Sequence, residues 1–292
     1  MKKVFFSLPG NETLTQSLAA ILGAELGETE IRHFPDGESY VRVLSDVKAK
    51  SVVLVCTLHH PDTKFLPLYL LAQTLREQGT TDICLVAPYL AYMRQDKQFK
   101  QGEAVTSRYF ARLIESIADS LITIDPHLHR FHTISELYTI PARALHAAPL
   151  LASWVQQHVS KPILIGPDEE SMQWVKEVAI LAGAPYLVLH KTRLGDENVQ
   201  VSQPQLAAYT NHTPVLVDDI ISTAHTMIET IQHLKQLTIQ KPVCIGVHAV
   251  FAGGAYENLV QAGAAAIVTC NTIPHFSNAI SVDKLLAEAI LI

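Results

Sequence analysis

The chain has 292 residues, 48% of them hydrophobic and 17% charged, with a formal net charge of −6. That composition builds a large apolar core and, at roughly 150 residues per domain, about two domains. The acidic balance argues against a general nucleic-acid binder, and no run reaches the roughly 18 apolar residues of a membrane span.

The opening Met1-Lys2-Lys3-Val4-Phe5-Phe6 stops at Leu8 before Pro9-Gly10, too short for a signal peptide, so it reads as a first strand. In the first half, strands are expected at 4–7, 30–34, 52–56, 83–87 and 120–124. In the second half they are expected at 162–165, 186–190, 215–217, 243–250 and 266–270. Helical stripes lie between them, such as Phe110, Leu113, Ile114 and Ile117, or Trp174, Val175, Val178 and Leu181. The alternation predicts an α/β fold of parallel sheets with crossover helices.

The two halves are weakly alike. Residues 51–89 read strand, loop, helix, strand, and 161–191 repeat that order, which suggests duplication. The change-over is expected between Pro141 and Lys161, where Pro141 and Pro149 flank an alanine-rich stretch, giving domains 1–145 and 146–292. Cys56, Cys84, Cys244 and Cys270 lie in or beside apolar runs without C-x-x-C spacing, as buried reduced thiols of a cytoplasmic protein would.

Chemistry-bearing motifs follow the strands. Phe34-Pro35-Asp36-Gly37-Glu38 is a turn whose ring could stack on a purine and whose acids could accept from an amino group. Arg94-Gln95-Asp96-Lys97 is a charged loop suited to nucleotide phosphates. Asp125-Pro126-His127 puts a His at a strand end. His129 and His132 follow, but their spacing is not a familiar zinc pattern. Gly166-Pro167-Asp168-Glu169-Glu170 adds carboxylates. Lys191-Thr192-Arg193 sits at the base of a segment, 194–209, without periodicity, which reads as a loop that could close on a polyphosphate. Each of these, taken alone, is also compatible with an ordinary solvated loop or a helix cap.

The most informative stretch is Val215-Leu216-Val217-Asp218-Asp219-Ile220-Ile221-Ser222-Thr223-Ala224-His225-Thr226. A buried strand runs into two acids, then a small polar turn, then an amphipathic helix marked by Ile228, Ile231 and Leu234. Free N–H groups of the turn and helix start favour an anion. The acids can accept hydrogen bonds from a ribose diol or hold a Mg²⁺ water.

In order and spacing, FPDGE, YMRQD, DPH, GPD, KTR and VDDIISTAHT resemble the ribose-phosphate diphosphokinases (phosphoribosyl pyrophosphate synthetases) along the whole chain. The resemblance implies two tandem type I phosphoribosyltransferase-like domains, each a mainly parallel sheet flanked by helices, the first with a degenerate sugar-phosphate loop. It implies diphosphate transfer from MgATP to the anomeric hydroxyl of ribose 5-phosphate. Phe34, Asp36 and Glu38 would receive adenine across a subunit boundary. Arg94, Gln95, Asp96 and Lys97 would hold the rest of ATP, and His127 and Asp168 would position Mg²⁺. Asp218 and Asp219 would take the ribose hydroxyls, and Ser222, Thr223, Ala224, His225 and Thr226 the 5-phosphate. Lys191 and Arg193 would act on the reacting diphosphate. A homo-oligomer, dimer or hexamer, is implied, with no nucleic-acid or membrane partner.

Three features depart from the family pattern. His225 stands where many members have Gly, Glu169-Glu170-Ser171 replaces a Gly-containing turn, and the segment after DPH lacks a Gln-rich stretch. A nucleobase phosphoribosyltransferase would share the sugar-phosphate loop but leaves FPDGE and RQD unexplained. A non-catalytic regulatory relative would typically lose the cations or fill the phosphate loop; Lys191, Arg193 and both acids are present here, while His225 and Glu170-Ser171 leave that alternative open.

Overall fold

Residues 51–55 are buried on both faces, so this strand is a continuous apolar run without polar alternation. It is β5 (Ser51–Val55) of the first sheet. The others are β1 (Lys3–Ser7), β2 (Glu25–Leu26), β6 (Asp82–Ala87), β7 (Ser120–Ile124) and β8 (Ala142–Leu145). Their order is β2-β1-β5-β6-β7-β8, every pairing parallel. Helices α1 (Glu12–Leu22), α2 (Pro61–Glu77) and α3 (Thr106–Glu115) make the crossovers. Leu68, Leu71 and Leu75 of α2 fall on one stripe and are fully buried. The computed structural model describes residues 3–128, 130–166, 171–189, 209–237 and 240–291, and the backbone of 192–194 and 198–200.

The second sheet contains β9 (Pro162–Gly166), β10 (Tyr186–Val188), β13 (Thr213–Ile221), β14 (Val243–Ala249), β15 (Ala266–Cys270) and β16 (Asn278–Ile280). Its order is β10-β9-β13-β14-β15-β16, again all parallel. Helices α4 (Ala148–His158), α5 (Met172–Ala182), α6 (His225–Gln236) and α7 (Ala255–Ala262) belong to this unit, and α8 (Asp283–Leu291) ends the chain. Each sheet has an antiparallel ribbon beside it in sequence: β3 (Thr29–His33) with β4 (Ser39–Val43), and β11 (Thr192–Leu194) with β12 (Asn198–Gln200).

The two sheets match strand for strand when β1 is set on β9, β5 on β13 and β6 on β14. The helices α1 and α5 then end alike, each on a left-handed glycine, Gly23 (φ 59°) and Gly183 (φ 65°). The duplication is therefore real in topology, but the pairing expected from sequence is out of phase. Residues 51–89 hold β5-α2-β6, whose counterpart is β13-α6-β14, whereas 161–191 hold β9-α5-β10. All strand–helix–strand units share one hydrophobic pattern, so pattern alone does not set the phase.

Three further expectations need correction. The strand at 30–34 is not in the parallel sheet but in the β3–β4 ribbon, because Pro35-Asp36-Gly37 turns the chain back on itself. The segment 194–209, read as loop, contains β12. The last residues, placed with the second domain, pack with the first: the compact units are Met1–Leu145 with Val282–Ile292, and His146–Ser281. The reason is the covering of α1. Helix α4, which follows β8, packs on α5, and α8 packs on α1. Arg143 Nη1 donates to the Ala289 carbonyl at 3.1 Å, Lys3 Nζ to the Ile290 carbonyl, and Ser17 Oγ to the Asp283 carboxylate.

Among the described residues no helix is long and apolar enough to cross a membrane. The four cysteines form no disulfide, and burial pushes the Cys56 and Cys244 thiols up to about 12.

Leu286 of α8 is fully buried. Leu286→Ala should lower the unfolding free energy by about 2–5 kcal/mol in urea denaturation. A loss near zero would show that α8 adds nothing to the first unit.

Candidate functional site

The second unit builds its site on the long strand β13, whose pairing with β14 continues to Ile221 opposite Ala249. Asp218 and Asp219 therefore lie within the strand, not after it as expected. The Asp219 N–H donates to Asp218 Oδ1 at 2.9 Å, which orients the first carboxylate.

The turn after β13 is tied at both sides. Phe251 N–H donates to the Ile221 carbonyl at 2.9 Å, and Ala252 N–H to the Ser222 carbonyl at 3.0 Å. Ser222 and Thr223 then lead to Ala224, which is left-handed at φ 59° and ψ 12°. Helix α6 starts at His225, and no side chain caps its N-terminus. His225 is thus the first helical residue, with its ring exposed. The position that would suit glycine is Ala224, one residue earlier than the His225 departure noted from sequence. Thr226 lies in the first turn, and its carbonyl accepts from Thr230 Oγ1 at 2.9 Å.

In the first unit, the equivalent segment runs from β5 into α2. His60 repeats the left-handed residue before the helix, at φ 53°. The contents differ. Pro61 opens α2 and has no N–H to offer. Lys64 Nζ folds back to donate to the Thr57 carbonyl at 3.0 Å and meets His59 Nδ1 at 2.9 Å. Burial, then the Lys64 charge, lowers the His59 pKa to about 4, so its neutral ring can accept that bond.

The ends of β6 and β7 carry the charged loops. Arg94 and Lys97 are exposed, Gln95 is half-buried, and Asp96 is buried with its side chain only 2% exposed. Arg130 Nη1 donates to both Asp96 oxygens, at 2.7 and 2.9 Å. The loop is closed by Glu103, whose Oε2 accepts from Phe99 and Lys100 N–H at 2.9 Å each. After β7, Asp125 is buried and left-handed at φ 35°, and His127 is half-buried two residues on.

The Phe34–Glu38 turn closes the β3–β4 ribbon. Phe34 N–H donates to the Glu38 carbonyl at 2.8 Å, Gly37 N–H to the Phe34 carbonyl at 2.9 Å, and Glu38 N–H to Asp36 Oδ1 at 3.2 Å. Phe34 is 41% exposed. Its ring sits edge-on to Tyr40 at 5.9 Å, and the Arg32 guanidinium lies 4.8 Å from Phe34 and 4.2 Å from Tyr40. The ring is thereby held by a cation and a second ring.

The structure thus brings Asp218 through Thr226 together on one strand–turn–helix, and Arg94 through Lys97 with His127 on adjacent strand ends. Arg193 lies on β11, opposite Val199 of β12. Asp168 and Lys191 lie outside the described residues. Among those described, no group of three or more His, Cys, Asp or Glu could hold a metal ion. Sequence reasoning missed Arg130, Arg32 and Tyr40. The alternation in Ser39-Tyr40-Val41-Arg42-Val43 was a usable strand signal, whereas Arg130 had none.

Comparisons with known proteins agree along the chain. Residues 3–117 match the N-terminal domain of ribose phosphate pyrophosphokinase, and 133–284 match the phosphoribosyl transferase domain. A ribose-phosphate pyrophosphokinase of Methanosarcina mazei is 35% identical, covering 97% of this chain and 93% of its own. Those of Sulfurisphaera tokodaii (92% of each chain) and Methanopyrus kandleri (95% and 94%) are each 33% identical. The crystal structure of phosphoribosylpyrophosphate synthetase from Mycobacterium smegmatis has the same fold, with a TM-score of 0.86 at 22% identity over 100% of this chain and 98% of that one.

Ala224→Gly removes a Cβ from a left-handed position and should raise the unfolding free energy by about 1 kcal/mol. Unchanged or reduced stability in urea melts would mean that the turn stores no such strain.

Proposed function

This chain belongs to the ribose-phosphate pyrophosphokinase family, and we propose how its residues divide that family's reaction. The acceptor is ribose 5-phosphate and the donor is MgATP. The anomeric oxygen bonds to the β-phosphorus as the bond from that phosphorus to the α-phosphate oxygen breaks. The hydroxyl proton is lost, phosphoribosyl diphosphate forms and AMP leaves.

The observation that carries this reading is strand β13, with Asp218 and Asp219 near its end, running through a left-handed turn into a helix that no side chain caps. Turn and helix N–H groups, with Ser222, Thr223, Ala224, His225 and Thr226 around them, suit the 5-phosphate. Asp218 and Asp219 accept from the ribose hydroxyls. The exposed His225 ring is compatible with this, because the backbone supplies the donors. The first unit, with Pro61 and Lys64 in the corresponding turn, lacks such a cradle and receives ATP. Arg94 and Lys97 take its phosphates, Gln95 and Asp96 complete that loop, and the ring of Phe34 stacks on adenine with Asp36 and Glu38 beside it.

Phe34, Asp36 and Glu38 are exposed at the tip of a ribbon outside the sheet, which suits contribution to another copy's nucleotide. A homo-oligomer, dimer or hexamer, follows. Buried cysteines in no disulfide support a cytoplasmic setting, and nothing in the reaction calls for nucleic acid or membrane.

The donor set fits Mg²⁺. That ion is satisfied by one or two protein ligands when phosphates and water complete its shell, so a protein-only cage is not needed. Asp168 and His127 would hold it, and it would neutralise phosphate charge. Lys191 and Arg193 share that task on the transferring diphosphate. Catalysis of this kind is chiefly positioning and charge stabilisation, and no strong base is assigned.

Purified protein given MgATP and ribose 5-phosphate should form AMP in step with phosphoribosyl diphosphate; binding of nucleotide without AMP would sink the assignment. Lys191→Ala should lower kcat by about 100-fold or more with ATP affinity little changed, and an equal loss in both would remove Lys191 from the transition state.

A further inference from the structure

We propose that Arg130 is a positioning residue for ATP, and that Asp96 is the internal anchor of the 94–97 loop instead of a nucleotide ligand. The proposal deepens the reading above and rests on the first unit being the ATP side. Both oxygens of Asp96 are engaged by one nitrogen of Arg130, at 2.7 and 2.9 Å, and the carboxylate side chain is 2% exposed. A nucleotide could reach it only by displacing Arg130 and opening the loop. Arg94 and Lys97, flanking Asp96 in sequence, are exposed. The pair therefore works as a pin, with a buried acid fixing where the two exposed cations stand.

Arg130 is well placed to act as the other half of the pin. It follows β7 by a few residues, shortly after His127, whereas Asp96 follows β6, the neighbouring parallel strand. One ion pair thus couples the phosphate-facing loop to the segment bearing the proposed Mg²⁺ residue. The Arg130 guanidinium also lies 5.5 Å from the centroid of the Phe99 ring, and Lys97 Nζ lies 5.2 Å from the same centroid. Phe99 is 57% exposed, so its ring spaces the two cations at the surface. Loss of Arg130 leaves a desolvated carboxylate without its cation, and the loop must move to rehydrate it.

The test is a double-mutant cycle read by calorimetric binding of ATP and, separately, of ribose 5-phosphate. Arg130→Ala should raise the ATP Kd about tenfold or more and change the ribose 5-phosphate Kd less than about twofold. Arg130→Lys should recover part of the loss, since it restores charge without the planar fork. Asp96→Asn combined with Arg130→Ala should bind ATP no worse than the weaker single variant. Additive losses would make Asp96 a ligand in its own right and overturn the proposal, as would equal weakening of both ligands or unchanged ATP binding. If Arg130→Ala does not fold, Arg130→Lys and Asp96→Asn, with their double variant, close the same cycle. Wild-type protein that binds ATP but forms no AMP would sink the family reaction while the coupling stands or falls on its own. Wild-type protein that binds no ATP would overturn both.

Discussion

The pairing of β13 with β14 out to Ile221 is the constraint on which the acceptor side depends. It keeps the backbone extended through Asp218 and Asp219, so both acids stand on a strand fixed by its neighbour and not on a free loop. The same pairing sets where the chain must turn. Phe251 and Ala252, just beyond β14, bind the carbonyls of Ile221 and Ser222, so β14 also fixes the start of the turn. The uncapped start of α6 then follows at a set distance.

Duplication supplies the same architecture twice, and small substitutions separate the two copies. Both units have a left-handed residue before the crossover helix, His60 in one and Ala224 in the other. In the first, proline removes a donor at the helix start and a lysine occupies the space with its own hydrogen bonds. In the second the turn holds only small side chains, Ser222, Thr223 and Ala224, before the helix. The fold therefore does not decide which unit can cradle a phosphate; residues 60–64 and 222–226 do. The terminal helix shows a related economy. Each unit needs a helix over its first crossover, α4 over α5 and α8 over α1, and the chain provides the second only by returning at its end.

What could be read from sequence followed from how fully each residue's environment is local. Residues 52–55, 215 and 216 sit between strands on both sides, and an unbroken apolar run is the direct mark of that. The motifs at strand ends were legible as a set, because an open α/β sheet gathers its site there. The β3–β4 ribbon was half legible: its turn was plain in Pro35-Asp36-Gly37, but Tyr40 and Val41 are only partly buried and gave a weak strand signal. The phase of the repeat was not legible, since hydrophobic periodicity is the same in every strand–helix–strand unit. The extent of β13 was not either, for two acids look like a terminus unless the length of the neighbouring strands is known. Arg130 was beyond reach, because its partner lies 34 positions earlier and only the parallel pairing of β6 with β7 brings them together.

The charge of the chain raises a last question, since a protein of net charge −6 has to receive two polyanions. Residues 94–103 hold three cations and two acids, a nearly even balance by sequence. The structure makes it uneven in space. Asp96 is turned inward onto Arg130, and Glu103 is spent on the backbone N–H groups of Phe99 and Lys100. Asp36, in the Phe34 turn, is likewise used by the Glu38 N–H. Lys97 and Lys100 are exposed. An acid whose charge is met by a donor on the protein side projects little field toward solvent, whereas an exposed cation projects its own. Net charge is therefore the wrong scale for judging this site. What favours the anion is that the loop's carboxylates are consumed in holding its shape, and its cations are what that shape presents.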